Sequence, residues 1–361
     1  MPLQPSAHIE PAGDWPAKDL EAVSACPVCS DTRRSPLHGG LRDRLLPTPG
    51  RWDLWRCGNC GSAFLDPRPT QASMGGAYGA DYMTHARPPG TAPHGGIAAL
   101  RRRLLHGYLN ARYGYALADG LGAGRVLIGL LPGARSRTER FIRNLRFAGE
   151  RPRLLDVGCG NGAFVGQMQA LGWRAEGIDV DRRALAEGRA AGLPVREATI
   201  GDLDSEQGRF DAITLGHVIE HLHEPRESLA ALRSLLRPGG MVWLATPNVE
   251  ATGHRVFGPN WHALDPPRHV VVFSGAGLRR LLDAAGFDRV EQRRPPPGAR
   301  WNFPPSLAIE RGLNPLVEQP PLPARLRVRC LAAELAGRRR LRSEEELIFA
   351  AWAPGRPPDG L

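Results

Sequence analysis

The sequence predicts an α/β protein with a doubly wound, mainly parallel sheet, preceded by a small cysteine-rich module. Two observations lead to this fold class. From Arg153 onward, short apolar segments of strand length alternate with segments of helical periodicity, which is typical of a parallel sheet covered on both faces. Before them, four of the six cysteines form two close pairs. That spacing is typical of a metal site in a reducing compartment and not of a disulfide framework.

Four regions are expected along the 361 residues. They are a flexible tail (1–22), a zinc-ribbon module (23–70), a linker and helical N-terminal extension (71–150), and the α/β domain (151–361) with an insertion at about 295–342. Residues 88–96 are rich in Pro and Gly and indicate a linker. The short apolar run 126–131 is expected to be buried in preference to contacting a membrane surface.

Helices and strands follow from the periodicity of the apolar residues. The strands are expected at Arg153–Val157, Arg174–Asp179, Val195–Ala198, Phe210–Leu215, Met241–Thr246, Phe287–Gln292 and Glu346–Trp352. The helices are expected at Ile97–Tyr115, Arg137–Phe147, Ala163–Leu171, Arg182–Ala191, Pro225–Leu236 and Gly275–Ala285.

The overall charge is strongly positive, with a formal net charge of +10 and Lys18 as the only lysine. A basic protein suits nucleic acid, but the arginines are spread along the whole chain, so such a partner is possible and not favoured. No apolar run reaches the roughly 18 residues of a membrane span, and no secretory signal is present. We therefore expect no membrane span and a cytoplasmic location.

A glycine-rich turn follows the first strand of the α/β domain. The sequence Asp-Val-Gly-Cys-Gly-Asn-Gly runs from Asp156 to Gly162, and glycines there let a ligand approach the backbone and the following helix N-terminus. Asp179 ends the next strand, where a carboxylate can accept hydrogen bonds from both hydroxyls of a ribose. The acid at the strand end would repel a pyrophosphate and suits a cationic ligand, which disfavours a dinucleotide.

These segments, with Phe210–Ile213 and Leu236–Gly240, resemble successive motifs of the class I S-adenosylmethionine-dependent methyltransferases. The resemblance implies a Rossmann-like, seven-stranded sheet whose last strand, Glu346–Trp352, is antiparallel. It also implies S-adenosylmethionine as the cofactor, with Asp202 and Leu203 beside the adenine ring. The cofactor-binding residues are then expected to be Asp156, Gly158, Cys159, Gly160, Gly162, Asp179, Val180, Asp202, Leu203 and Gly216.

The cysteine pairs Cys26/Cys29 and Cys57/Cys60 each place two thiolates on a tight turn. Four thiolates bind zinc tetrahedrally and leave no position for water, so the expected Zn²⁺ is structural; iron in a rubredoxin-like site is the alternative. A four-Cys module before a class I domain resembles a bacterial group placed in sugar and polysaccharide modification. Some deoxysugar C-methyltransferases share it.

Candidate catalytic residues cluster after the fourth strand, where open α/β sheets bind ligands. His217, Glu220 and His221 have a spacing similar to the Glu-x-x-Glu-His motif of ubiquinone-biosynthesis O-methyltransferases and small-RNA terminal 2′-O-methyltransferases, in which those residues hold a divalent ion. Here His217 replaces the first Glu. Three interpretations stay open: a second divalent metal, a general base without metal, or residues that brace a helix. His269, from the segment 261–269, is expected to approach the Glu220/His221 pair, and Arg268 beside it suits a sugar, phosphate or carboxylate acceptor.

The function expected from these features is S-adenosylmethionine-dependent O-methylation of a small-molecule or glycan acceptor in sugar or polysaccharide biosynthesis. The alternatives are methylation of an RNA ribose or other nucleic acid, and sugar C-methylation. The segment Leu215-Gly216-His217 lacks the Asn/Asp-Pro-Pro-aromatic signature common in amino-group methylation of bases, which argues against that reaction. The sequence gives no oligomeric state.

Overall fold

The computed structural model describes residues 13–46, 48–78, 96–337 and 341–355. The strands in these ranges are β1 (Leu20–Glu21), β2 (Arg34–Leu41), β3 (Trp52–Cys57), β4 (Ala63–Leu65), β5 (Arg68–Pro69), β6 (Arg153–Val157), β7 (Arg174–Asp179), β8 (Val195–Glu197), β9 (Phe210–Gly216), β10 (Leu236–Pro247), β11 (Val271–Val272), β12 (Arg289–Arg293) and β13 (Glu346–Trp352). The α-helices are α1 (Gly96–Tyr113), α2 (Ala123–Leu130), α3 (Pro132–Phe141), α4 (Ala163–Ala170), α5 (Arg182–Ala190), α6 (Pro225–Leu235), α7 (Thr252–Phe257), α8 (Gly275–Ala284), α9 (Ala299–Glu310) and α10 (Ala324–Gly337).

The central sheet has seven strands in the order β12-β13-β10-β9-β6-β7-β8. Strands β10, β9, β6, β7 and β8 pair in parallel, whereas β13 is antiparallel to both of its neighbours. The predicted seven-stranded fold with an antiparallel last strand is therefore confirmed. Because the parallel strands all end at one edge, the loops that follow β6, β7, β9 and β10 meet there.

Local signals explain several helix boundaries. Asp181 caps α5 by accepting hydrogen bonds from the backbone of Arg183 (2.9 Å) and Ala184 (3.3 Å). The third helix of the extension differs from its prediction, Arg137–Phe147: it begins at Pro132, since proline suits the first turn, and ends at Phe141. Arg143 and Asn144 follow with φ of 49° and 56°, which no α-helix accommodates.

A second sheet contains strands from both the predicted cysteine module and the predicted α/β domain. Its four strands run β11-β4-β3-β2, and β11 comes from the α/β half of the chain, pairing Val271 with Phe64. Leu54 and Phe64 of the cysteine module share one continuous apolar core with Ile213 and Phe273 of the α/β domain. The cysteine module is thus built into the larger domain.

The predicted flexible tail, 1–22, extends too far. Residues 1–12 lie outside the described residues, but Trp15 is buried with its ring edge-on to Trp52, 5.6 Å between centroids. Strand β1, which immediately precedes the module, pairs with β5 at the end of the module. Burial of one tryptophan and the antiparallel pairing of Leu20 with Pro69 and of Glu21 with Arg68 order this segment.

The helical extension packs on one face of the central sheet. Leu109 and Ile142 are fully buried beside Leu154 and Val165. The run 126–131, expected to be buried, is not: Val126, Leu127, Leu130 and Leu131 are 50–76% exposed. Helices α1 and α2 bury their crossing point, which leaves the opposite face of α2 in solvent.

Helices α9 and α10 lie between β12 and β13, in the segment 295–342 expected to be an insertion. The predicted linker 88–96 falls outside the described residues except for Gly96. No helix in the described ranges combines the length and apolar character needed to cross a bilayer.

Candidate active site and metal sites

The four cysteines of the N-terminal module converge as the sequence predicts. The Cys26 and Cys60 sulfurs are 3.7 Å apart, those of Cys29 and Cys57 are 3.5 Å apart, and all four lie within 4.8 Å of one another. Tetrahedral zinc with Zn–S bonds of about 2.3 Å requires sulfurs about 3.8 Å apart. The donor set and spacing therefore fit one structural Zn²⁺.

Each cysteine pair sits on a turn that requires a left-handed backbone. The turns close with hydrogen bonds from Ser30 N to Cys26 O (2.8 Å) and from Gly61 N to Cys57 O (3.1 Å). Ser30 and Gly61 have φ of 60° and 75°. Glycine takes this conformation without strain, which explains the Gly after the second pair.

The predicted glycine turn adopts the geometry of a ligand cradle. Gly158, Gly160 and Gly162 all have positive φ. A Cβ on Gly158 would lie 2.3 Å from Val218, so no larger residue fits there. Gly160 N donates a 2.8 Å hydrogen bond to Asp179 Oδ2, so the carboxylate that ends β7 lies directly against the turn.

Two further predicted cofactor residues lie in this turn and next to it. Cys159 is buried, with its sulfur against the Cβ-free surface of Gly177. Val180 is 69% exposed, an unusual position for a valine and one that a bound ring could cover. These positions are consistent with the expectation, and the assignments stay predictions.

Asp202 and Leu203 have structural roles in this fold. Asp202 Oδ2 accepts hydrogen bonds from the backbone and hydroxyl of Thr199, both 2.7 Å, in a capping box at the start of a short 3-10 helix. These hydrogen bonds lower the pKa of Asp202. Leu203 is fully buried in the main core. Their predicted contact with an adenine ring stays a prediction, and only Asp202 has accessible atoms to make it.

Asp156 has a partner that sequence analysis missed. Its buried carboxylate pairs with Arg143 and accepts a 2.8 Å hydrogen bond from Thr214 Oγ1. The Arg143 guanidinium stacks over the Phe164 ring at 3.6 Å. A Cβ on Gly216 would lie 3.3 Å from Arg143 Nη2. The glycine at the end of β9 thus leaves room for an arginine between two strand ends.

No sequence motif marks Arg143 as a site residue. Its place in the site follows from the reversal of the backbone at Arg143 and Asn144. It lies just after α3, outside every motif, and its left-handed φ turns the side chain back over the sheet edge. The guanidinium places a positive charge beside the glycine turn. Because Asp156 balances this charge, the pair as a whole is close to neutral.

At the end of β9, His217, Glu220, His221 and His269 meet and form what we call the histidine edge. His217 Nδ1 is 3.2 Å from Glu220 Oε1, and its Nε2 is 2.8 Å from Glu346 Oε1. The rings of His221 and His269 lie edge to face with centroids 4.8 Å apart, and His269 Nε2 is 4.0 Å from Glu220 Oε1. The approach of His269 to the Glu220/His221 pair is therefore confirmed.

The ionisation of the histidine edge follows from its contacts. Burial would raise the pKa of Glu220, but the hydrogen bond from His217 and the nearby imidazoles of His221 and His269 lower it to about 2. Burial and the adjacent His269 lower the pKa of His221 to about 4. Desolvation opposes protonation of His217, yet the contacts with Glu220 and Glu346 raise its pKa to about 10. These contacts favour the imidazolium form of His217 and oppose the general-base role considered for it, which stays untested.

Glu220, His221 and His269 also form a candidate divalent-metal site, with one ligand atom from each within 4.8 Å of the others. Glu220 Oε2 is fully buried and has no hydrogen-bond partner among the described residues. His221 Nδ1 lies 2.9 Å from Arg268 O, which leaves Nε2 to bind an ion. One carboxylate and two imidazoles suit Zn²⁺, Fe²⁺ or Mn²⁺ better than Mg²⁺.

Arg268, expected to suit an anionic acceptor, serves a different purpose. Its side chain is completely buried and pairs with Asp43 and Asp265, with Nη1 donating to Asp43 Oδ2 at 2.7 Å and to Ala77 O at 2.8 Å. It cannot reach an acceptor. It ties the cysteine-module side of the chain to the loop that carries His269.

Comparisons with known proteins agree with this geometry. Residues 134–292 match a protein-family model described as a methyltransferase domain. The chain contains a methyltransferase domain. The match begins inside α3 and includes Arg143, the glycine turn and the histidine edge. The second metal site and the catalytic residues of this methyltransferase domain stay predictions.

Two curated relatives of the methyltransferase domain carry the same name. The ubiquinone biosynthesis O-methyltransferase of Alkalilimnicola ehrlichii is 31% identical over 179 residues, which cover 46% of this chain and 66% of that protein. That of Chromobacterium violaceum is 33% identical over 125 residues, 33% of this chain and 53% of that protein. The chain thus spans between about half and two thirds of the length of these relatives. Among solved structures, an S-adenosylmethionine-dependent methyltransferase from Archaeoglobus fulgidus aligns with a TM-score of 0.41 and 20% identity, over 62% of this chain and 93% of that one.

Proposed function

We propose that the protein transfers a methyl group from S-adenosylmethionine to a hydroxyl oxygen of a small-molecule or glycan acceptor at the histidine edge. The observation that carries this proposal is the convergence of Glu220, His221 and His269 beside the glycine turn. The curated relatives support oxygen as the methylated atom because they are named O-methyltransferases. The glycan class rests only on the four-Cys resemblance.

The residues around the glycine turn fit the methyl donor. A nucleoside bound at the turn would lie against the backbone of Gly160. Its ribose hydroxyls would then replace the Gly160 N–H as the donors to the Asp179 carboxylate. Arg143 would donate a hydrogen bond to the carboxylate of the methionine portion while its Nη1 stays paired with Asp156. When bound, S-adenosylmethionine supplies an electrophilic methyl group on a sulfonium.

The protein's task in such a transfer is to align the acceptor oxygen with the methyl group and to favour loss of its proton. A divalent ion at Glu220, His221 and His269 would lower the pKa of a hydroxyl bound to it. His217, held as an imidazolium between Glu220 and Glu346, fixes the orientation of the Glu220 carboxylate. Burial favours the neutral form of His221, which is the form that binds a metal ion.

A comparison of two glutamates tests the proposal. Glu220→Gln should reduce turnover at least about 100-fold, measured as S-adenosylhomocysteine release with a panel of phenols, catechols and sugar hydroxyls, because a buried ligand and charge are lost. Glu224→Gln is the matched control: its side chain is 66% exposed four residues later, and turnover should not change. Equal activity of the two variants, or a product methylated on nitrogen or carbon by NMR, contradicts the proposal.

A further inference from the structure

A cavity of about 520 Å³ lies between the helical extension and the central sheet. Tyr113 of α1 and Glu139 of α3 line one wall, and residues of β9, β10, β12 and β13 line the other. Among the described residues that line it, there is none that we predict to bind the cofactor or to catalyse. The cavity is therefore separate from both the glycine turn and the histidine edge.

The edge strand β12 presents charged side chains on the face that borders this cavity. Arg289, Glu291 and Arg293 occupy alternate positions and therefore share one face of the strand. Arg289 lies in register with Trp352 of β13, and Trp352 lies in register with Met241 of β10. All three strands thus contribute neighbouring residues to the same lining. A strand face that helices cover is ordinarily apolar, whereas this one carries two arginines and a glutamate.

Arginine dominates the lining of the cavity. Seven arginines and three acidic residues line it, so four positive charges remain in excess. Each acid is already paired with one or two of these arginines: Glu139 with Arg135 (2.9 Å), Asp211 with Arg237, and Glu291 with Arg289 (2.6 Å) and Arg293 (2.7 Å). We call the cavity defined by these ion pairs the arginine groove. Charges on an edge strand can also prevent edge-to-edge pairing, but that role does not require the arginines of α3 and β10.

Two arginines of β12 keep hydrogen-bond donors for a ligand. The guanidinium carbon of Arg289 lies 4.0 Å from the centroid of the Trp352 ring, and a guanidinium that stacks on a ring keeps its N–H groups directed outward in its own plane. Arg293 Nε is buried and has no hydrogen-bond partner among the described residues. Because an unpaired buried donor costs free energy, an acceptor at this position would be bound favourably.

We propose that the arginine groove binds the diphosphate group of a small phosphorylated molecule. Arginine forks bind phosphate oxygens bidentately, and a diphosphate carries enough negative charge to balance most of the excess positive charge. The cavity has the size of a small-molecule site, for which about 300–1,000 Å³ is usual. A single carboxylate would leave most of that charge unpaired, and a nucleic acid strand would need a basic path that continues beyond one cavity. This binding does not depend on the proposed methyl transfer.

Calorimetric titration of the full-length protein with pyrophosphate tests the proposal. We expect saturable binding that weakens as salt is added and that persists when S-adenosylhomocysteine saturates the cofactor site. Arg289→Gln combined with Arg293→Gln should weaken pyrophosphate binding at least about tenfold. The matched control, Arg33→Gln with Arg342→Gln, removes the same two charges at side chains that are 75% and 79% exposed elsewhere, and it should bind as the unmodified protein does.

Glu291→Gln distinguishes a ligand site from an ion-pair cluster that only supports the fold. The Glu291 carboxylate occupies donors of both Arg289 and Arg293, so it competes with any bound anion. Its neutralisation should tighten pyrophosphate binding roughly threefold or more. A cluster with a purely structural role would show no such gain, and an unchanged or weaker affinity of this variant would contradict the proposal.

Other results would also overturn the inference. The unmodified protein could fail to bind pyrophosphate, or the control pair could lose binding as much as the Arg289/Arg293 pair does. S-adenosylhomocysteine could displace pyrophosphate, which would place the anion at the glycine turn. Single-stranded RNA could bind more tightly than pyrophosphate and lose that binding in the Arg289/Arg293 pair, which would assign the groove to nucleic acid. Binding of S-adenosylmethionine, measured in parallel for every variant, reports whether the fold is intact and separates a failure at the groove from a failure of the proposed activity.

Discussion

Removal of the Arg268 side chain should destabilise the fold strongly. It is completely buried between two carboxylates, Asp43 and Asp265, whose side chains are 0% and 8% exposed. Asp43 is further held by hydrogen bonds from the backbone of Leu45 and Leu46, 2.9 and 3.0 Å. The cluster therefore has two anions for one cation, and its balance depends on the arginine.

In Arg268→Met, the apolar volume is largely kept while both carboxylates lose their counter-charge. Removing one partner of a buried ion pair costs about 3–5 kcal/mol, and the second carboxylate places the expected loss at the upper part of that range. The assay is urea denaturation followed by circular dichroism and tryptophan fluorescence. Arg33→Met is the control because the Arg33 side chain, paired with Asp31, is 75% exposed, and its unfolding midpoint should not move.

A double substitution distinguishes charge imbalance from lost packing. Adding Asp265→Asn to Arg268→Met removes one of the stranded anions and should recover part of the stability, which a packing defect would not do. A loss below about 1 kcal/mol for Arg268→Met, or no recovery in the double variant, would refute the electrostatic account.

Three further outcomes follow from other parts of the structure. Burial and the neighbouring His254 lower the pKa of His38 to about 4, whereas an unfolded histidine protonates near pH 6.5. The free energy of unfolding should therefore fall as the pH falls from about 6.5 to 4, and it should fall less in His38→Gln, as urea denaturation at a series of pH values will show. Cys57→Ser should lose the bound zinc in elemental analysis and become sensitive to protease at the N-terminal module, whereas Cys330→Ser should retain the metal. Asp179→Ala should weaken S-adenosylmethionine binding at least about tenfold in calorimetry while the protein stays folded; the melting temperature should fall modestly, because the backbone N–H groups of Gly160 and Asp181 also lose their acceptor.

The central sheet could be predicted from sequence because its signals are local. Strands β6, β7 and β13 have the predicted bounds, and α4, α5, α6 and α8 differ from theirs by one residue at the carboxyl end. Apolar runs between glycine turns and capped helices define such elements without reference to the rest of the chain. The cysteine pairs and the glycine turn could be predicted equally well, because the residues that form each of them lie within a few positions of the sequence.

The contacts that sequence analysis missed join positions far apart in the chain. Arg143 meets Asp156 only because two left-handed residues reverse the backbone after α3. Arg268 was assigned to an acceptor because its sequence neighbours are polar, while its actual partner, Asp43, lies 225 residues earlier. Leu127 was assigned to the core because an apolar run is usually buried. Periodicity describes one element at a time and cannot predict which face another element covers.

The cysteine module forms part of the wall behind the histidine edge. Cys60 O accepts a 2.6 Å hydrogen bond from Ser274 Oγ, the N-cap of α8. Two residues beyond His269, Val271 begins β11 and pairs with Phe64 of the module. Because the Cys57/Cys60 turn joins β3 to β4, and β4 pairs with β11, the position of His269 depends on the folded module. Loss of zinc should therefore disturb the histidine edge even though no cysteine is one of its residues. This result would show that the module supports the site, because a module used only for substrate recognition could be removed without effect on the histidine edge.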